Sequence, residues 1–312
     1  MFIVCGEALF DVFATGDTPT GTAFDGRIGG SPLNVAMGLA RLGQPVGFFG
    51  GIGAGFAGER LMRALHDEGI DTRCTPRLDA PVTISLVGVD GRGVPSYAFY
   101  GAGCADRLLT PAHLAAIPAA EPSEQRAFHF GSYAMVVKPT ADAQRALVER
   151  EQGRSFIAYD PNIRLNVEPD IGVWRETLDW MLPRCQLLKI SDEDLALLYP
   201  GLALDDFAAQ ALAAGAGWVV VTRGGDGAIG YRPGLRLALP PQPVAVVDTV
   251  GAGDTFQAAL LTWLAEQGRL SAAGVAALDE AAMAQALGFA MRAAALTCGR
   301  RGADLPRRAE LG

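Results

Sequence analysis

The sequence predicts an α/β fold, with a central, mostly parallel sheet flanked by helices and a small β-sheet lid. Three observations carry that expectation. From about residue 127 onward, apolar runs of strand length alternate with helix-length segments, and the runs end in polar or glycine-rich turns. Late in the chain, Val244-Ala245-Val246-Val247 reads as a buried strand. It leads through Asp248-Thr249-Val250-Gly251-Ala252-Gly253-Asp254-Thr255-Phe256 into an apolar, alanine-rich helix. Between Thr83 and Tyr100 the pattern is instead strand–turn–strand, with Asp90-Gly91 in the turn, a hairpin signal. Residues 1–312 are expected to form one domain, its lid built from about 12–28 and 74–104.

Taken in order, Phe2–Val4 is a short buried strand, and Asp11 follows it closely, placed to cap a turn or to hydrogen-bond a polyol. Residues 14–27 turn to Thr, Gly, Asp and Pro, which suits an excursion from the core. Gly29-Gly30-Ser31-Pro32-Leu33-Asn34 then opens a helix, with Ser31 and Pro32 as an N-cap and first-residue pair and Asn34 in the first turn. Val46–Phe49 is the next strand. Behind it, Gly53-Ala54-Gly55-Phe56-Ala57-Gly58 matches the glycine pattern of dinucleotide-binding folds, with Asp71 near the spacing of the ribose-binding acid. No clear strand follows Asp71, and the first strand lacks the fingerprint, so an NAD-dependent oxidoreductase is the weaker reading. Further strands with their polar turns are expected at 128–132, 156–164, 185–191 and 217–227, and helices at 139–152 and 280–298. In open parallel sheets, ligands sit where such strands end.

Composition excludes several classes. The net charge of −8 and the absence of a basic block disfavour nucleic acid. No uncharged apolar run of membrane-spanning length stands out, and the N-terminus lacks a basic leader, so a cytoplasmic protein is expected. The 5 cysteines are scattered without metal-ligand spacing, and the 3 histidines form no ligand cluster.

The stretch 248–256 carries the chemistry. Glycines on either side of Ala252 let backbone N–H groups crowd at a helix N-terminus, a ready anion site. Asp254 stands at its mouth, where a carboxylate is unwelcome unless something there must lose a proton. A sugar hydroxyl attacking a phosphoryl group is such a case. The other reading is a glycine turn whose Asp caps the helix.

Together these motifs resemble the PfkB carbohydrate kinases, the ribokinase-like family, across nearly the whole chain. Gly29–Asn34 is similar to the family's N-terminal signature and Asp248–Asp254 to its C-terminal one. The resemblance implies a ribokinase-like sheet with a β lid and ATP-dependent phosphorylation of a sugar hydroxyl. It implies Asp254 as catalytic base and Gly251, Ala252 and Gly253 as the anion hole. Asp11, Gly30, Asn34 and Arg164 would contact sugar, with Phe99 and Tyr100 packing on its apolar edges. Thr222, Gly224 and Gly227 would lie along ATP, with Lys189 near the phosphates. The family's metal motif, Asn–x–x–Glu, appears as Ser191-Asp192-Glu193-Asp194, which implies Mg²⁺ held through Asp194 or Glu193. A monovalent cation such as K⁺ would neighbour Asp248, Val250 and Gly302. Asp160-Pro161-Asn162-Ile163-Arg164 and Ala105-Asp106 are most like the bacterial fructokinase branch. Arg164 also suits the carboxylate of 2-keto-3-deoxygluconate, and ribose or a nucleoside are further alternatives. A sugar-binding protein without turnover is the alternative from another class. The lid implies a possible homodimer.

Overall fold

The structure, a computed structural model, describes residues 1–89, 95–118 and 125–312. The chain opens with β1 (Phe2–Cys5), then departs through β2 (Leu9–Thr18) and β3 (Gly21–Gly29) before α1 (Ser31–Arg41) returns it to β4 (Val46–Phe49). A short strand β5 (Ile52–Gly53), α2 (Gly55–Asp67) and β6 (Arg77–Leu78) lead to the hairpin strands β7 (Ile84–Val89) and β8 (Pro95–Tyr100). Regular alternation follows in β9 (Ala127–Gly131), α3 (Thr140–Glu151), β10 (Phe156–Asp160), α4 (Ile171–Met181) and β11 (Leu187–Ser191). It continues through α5 (Asp192–Leu198), α6 (Leu204–Ala213) and β12 (Trp218–Thr222). The antiparallel strands β13 (Ala228–Arg232) and β14 (Leu235–Leu239) precede α7 (Ala252–Glu266), α8 (Ala272–Ala276) and α9 (Glu280–Cys298).

The main sheet has the order β14-β13-β12-β11-β10-β9-β1-β4, parallel from β12 to β4. Both faces of its parallel part are buried, which is why these strands read as unbroken apolar runs. Phe2 and Val4 join a core shared with α1, α7 and α9, whereas Ile3 and Cys5 join one shared with α3, α4 and α6. Parallel strands place all their carboxyl ends along one edge. The chain leaves β1 toward β4 on one side and later builds β9 to β12 on the other, so a crevice opens at that reversal.

A separate sheet, β3-β2-β7-β8, stands beside that edge. Residues 14–27, expected as an excursion contributing to the lid, supply most of its first two strands. The turn of the expected hairpin lies outside the described residues, but its strands pair antiparallel with Ser85 opposite Phe99. Asp11 pairs with Ser85 in turn. Period-2 alternation therefore puts Asp11, Ser85 and Phe99 on one face and Phe10, Ile84 and Tyr100 on the other.

Three local expectations are corrected. Val244–Val247 is not a buried strand: Val246 and Val247 are 62% and 63% exposed, and the segment pairs with no sheet. Pro240, Pro241 and Pro243 remove N–H donors just before it, which disfavours a ladder. Ser31 is the first residue of α1, not its cap; Gly30 occupies the cap at φ 107°, and the Ser31 hydroxyl is engaged elsewhere. The strand expected over 156–164 stops at Asp160. In the 53–58 glycine pattern, a Cβ on Gly58 would overlap the Gly53 carbonyl, so these glycines serve close packing of α2 on its own entry loop. Asp71 pairs with Arg73 instead of awaiting a ribose. Among the described residues only α9 is long and apolar enough to cross a membrane, and it packs against α7 and β14.

Candidate active site

The carboxyl ends of β9, β10, β11 and β12, the first turns of α1 and α7, and the inner face of the small sheet enclose a cavity of about 770 Å³. Asp11, Gly30, Asn34, Phe99, Arg164, Lys189, Glu193, Asp194, Thr222, Gly224, Gly227, Val250, Gly251, Ala252, Gly253 and Asp254 all line it. Residues scattered over most of the chain thus meet at one sheet edge.

Asp254 is held from outside its own helix. Ser31 Oγ donates to Asp254 Oδ1 at 2.6 Å, and Asn34 Nδ2 donates to Oδ2 at 2.8 Å. The cap of α7 is Gly251, left-handed at φ 78°, so the reading of Asp254 as a helix cap does not hold. Two donors from α1 fix the plane of the carboxylate and leave it facing the cavity. Asn34, expected on the sugar, lines the cavity and has its amide nitrogen on Asp254. Ala252 N donates to the Thr249 carbonyl at 3.2 Å, and the Gly253 and Asp254 N–H groups have no acceptor within the helix and sit where the dipole is positive.

Lys189 lies behind this turn. Its Nζ donates to Asp160 Oδ2 at 2.8 Å, with side chains 6% and 2% exposed. Burial opposes the charge on Lys189, but Asp160, Asp194 and Asp254 overcome it and raise its pKa. Burial pushes Asp160 up to about 6 against the pull of Lys189.

At the end of the cavity against the small sheet, Asp11 is half-buried, and burial raises its pKa. Glu7 and Ser132, neither singled out from sequence, also line the wall. Burial holds the Glu7 carboxyl at about 8. Ser132 and Asn162, just after β9 and β10, have φ of 56° and 42°. Such left-handed non-glycine residues are strained and cluster at functional sites. Phe99 meets Tyr133 edge-on, with centroids 6.4 Å apart. Asp106 braces Tyr133, accepting its hydroxyl at 2.7 Å and that of Thr83 at 2.5 Å. Tyr100 is 62% exposed and does not line the cavity, contrary to its expected place on the sugar.

On the opposite wall, Ser191 caps α5, its Oγ accepting from Asp194 N at 3.0 Å. Asp194 Oδ1 accepts from Ile163 N at 3.1 Å, and burial raises its pKa against Lys189 and Arg164. Glu193 is exposed on the cavity wall. Asp248 and Gly302 do not line the cavity but adjoin the α7 turn. Asp248 accepts from Val250 N at 3.1 Å and from Gly302 N at 2.8 Å.

An α/β sheet whose strand ends share a cleft with a carboxylate, a helix N-terminus and a buried lysine is the arrangement a small-molecule phosphotransferase needs. The comparisons narrow the class. The chain matches the pfkB family carbohydrate kinase over residues 2–309. A fructokinase of Rhizobium leguminosarum bv. trifolii is 37% identical over 286 residues, covering 91% of this chain and 85% of that protein. The structure of a fructokinase with bound ATP from Xylella fastidiosa superposes with a TM-score of 0.86 at 28% identity, covering 99% and 96% of the two chains. A Vibrio cholerae O395 fructokinase in fructose, ADP and calcium ion bound form gives 0.80 at 27% identity, covering 99% and 97%. The chain belongs to the pfkB family of carbohydrate kinases.

Proposed function

We propose that this carbohydrate kinase transfers the γ-phosphate of ATP to a hydroxyl of fructose. The observation that carries the proposal is Asp254, oriented by Ser31 and Asn34 at the N-terminus of α7 within the shared cavity. In this reading Asp254 aligns the sugar hydroxyl and accepts its proton as the new O–P bond forms and the bond to ADP breaks. Backbone N–H groups of Gly251, Ala252 and Gly253 would face the charge on the moving group, Ala252 N turning to it from the Thr249 carbonyl. Lys189 adds a fixed positive charge beneath it.

Asp11, Gly30, Asn34, Phe99 and Arg164 form the sugar end, and Thr222, Gly224 and Gly227 the nucleotide end. Arg164 would also receive the carboxylate of a keto-deoxy sugar acid, and the fructokinase relatives favour fructose over it. The small sheet is the lid of a single domain, and its closure would keep water from the phosphoryl group. Its outer face exposes Phe24, Ile84 and Tyr100, which suits coverage by a second copy of the chain. Among the described residues the cysteines are free thiols, in keeping with a cytoplasmic setting.

Glu193 and Asp194 would hold Mg²⁺ through water. Among the described residues no group of three or more acidic, Cys or His side chains forms a metal cluster. A lone acidic pair fits an ion that keeps waters and phosphates as its other ligands. When bound, Mg²⁺ would neutralise phosphate charge. A monovalent ion such as K⁺ would sit beside Asp248, Val250 and Gly302, which are already joined by hydrogen bonds.

The test is coupled ADP release with Mg-ATP against fructose, 2-keto-3-deoxygluconate, ribose and adenosine. Fructose turnover that falls about 10²–10⁴-fold in Asp254→Ala is expected. Turnover of another acceptor in preference to fructose would overturn the substrate, and wild-type activity in Asp254→Ala the role of the base.

A further inference from the structure

The Asp160–Lys189 pair asks for a reason. A buried ion pair is weak evidence for stability, because desolvating both charges rivals their attraction. Its position supplies the reason. A Cβ on Gly253 would stand 3.2 Å from Lys189 Nζ, so the ammonium lies directly against the first turn of α7. Lys189 lines the cavity; Asp160 does not. Asp160 Oδ1 has no hydrogen-bond partner among the described residues, so the polar contact of its carboxylate is the one to Lys189.

Other charges face the same ammonium. Asp194 from α5 and Asp254 from α7 both attract it, and His129 from β9, which burial keeps neutral with its pKa near 3, lies within its field. A lysine is a point charge on a flexible four-carbon stem. Left to itself in this setting, it would be drawn toward Asp194 and Asp254 and would offset the charge of the base. Asp160 is the last residue of β10, in register with Gly131 of β9, and so is anchored by the strand ladder.

We infer that Asp160 is a positioning residue that clamps Lys189 beneath the anion hole, where its charge meets the transferring phosphoryl group and is kept off Asp254. The inference rests on the kinase reading of the site. A charge fixed under the phosphoryl group acts on the transition state, so its loss lowers kcat and leaves sugar binding nearly unchanged.

The experiment compares wild type, Asp160→Asn, Lys189→Met and the double variant by thermal melting and by kcat, KM for ATP and KM for the sugar that wild type turns over. Asp160→Asn should lose about 10–100-fold in kcat with sugar KM within about threefold, because misplacing a catalytic group by about 1 Å costs about 10²-fold. The double variant, which removes both charges of the pair, should melt closer to wild type than Asp160→Asn yet be no more active than Lys189→Met. Wild-type kcat in Asp160→Asn or in the double variant would make the pair purely structural. If Asp160→Asn does not fold, Asp160→Glu decides, since it keeps the charge and shifts the ammonium by one methylene. A severalfold lower kcat with unchanged sugar KM supports the clamp, and wild-type kcat overturns it. A wild type that phosphorylates no sugar sinks the kinase reading and the clamp together, whereas an active wild type with an indifferent Asp160→Asn sinks only the clamp.

Discussion

Replacing Gly251 by alanine asks whether the turn before α7 works as the anion hole. Gly251 sits at φ 78° and ψ 0°, left-handed. A residue with a side chain there costs about 1–2 kcal/mol. Its Cβ would also stand 2.7 Å from Ala303 Cβ and 3.0 Å from Ala303 Cα, atoms that cannot swing aside. Such overpacking adds about 1–3 kcal/mol. Gly43 is the matched control, because it has φ 85° and nothing within 4 Å of a built Cβ. Gly43→Ala should therefore lose about 1–2 kcal/mol and Gly251→Ala about 2–5 kcal/mol. At about 2 °C per kcal/mol, Gly43→Ala melts about 2–4 °C below wild type and Gly251→Ala about 4–10 °C below. The clash at Gly251 is relieved by moving the turn, and a shift near 1 Å at a catalytic group costs about 10²-fold. Coupled ADP release should give near wild-type kcat for Gly43→Ala and a loss of about 10²-fold for Gly251→Ala. If Gly251→Ala melts like the control and keeps its kcat, both the steric account and the anion-hole role are wrong.

Two further outcomes follow from the same geometry. Burial holds the Glu7 carboxyl at about 8 in the folded chain, whereas in the unfolded chain it titrates near 4.3. Between those values the folded state keeps a proton that the unfolded state has lost. Stability present at low pH is therefore lost as pH rises toward 8, and Glu7→Gln should flatten the fall of melting temperature from about pH 5 to about pH 8. Equal slopes in the two proteins would remove Glu7 as its source. On the small sheet, Phe99 faces the cavity and Tyr100 faces away. Phe99→Ala should raise the sugar KM about tenfold while Tyr100→Ala leaves it unchanged, and the reverse would mean that the inner face of the lid has been misassigned.

What was legible in the sequence is what depends on near neighbours. The glycine turn at 251–253, the carboxylate beside it and the alternation after residue 127 all have their determinants within one short stretch, and each appears where expected. Val244–Val247 misled because four apolar residues look alike in a buried strand and in an exposed segment at a cavity mouth, and only the prolines before them argue otherwise. Ser31 looked like a cap because its partner, Asp254, is 223 residues away. The same blindness to distance hid the bracing of Tyr133 by Asp106 and the pairing of Lys189 with Asp160.

That pattern of misses has a physical cause. A reacting phosphoryl group needs a base, an anion hole and a cation within a few ångströms of one another. No helix or strand can present all three alone, because neighbouring side chains on one element diverge. In the proposed reading the fold would recruit them separately: α1 holds Asp254, α7 has its N-terminus there, and β11 carries Lys189 paired with Asp160 of β10. Each contributor is an ordinary local feature, legible or overlooked on its own terms. Their meeting is decided by strand order, above all by β10 lying next to β11 and by the packing of α1 on α7. Strand order is set by which apolar faces bury one another across the whole chain, which is why polar partners such as Asp160 emerge only once the sheet is assembled.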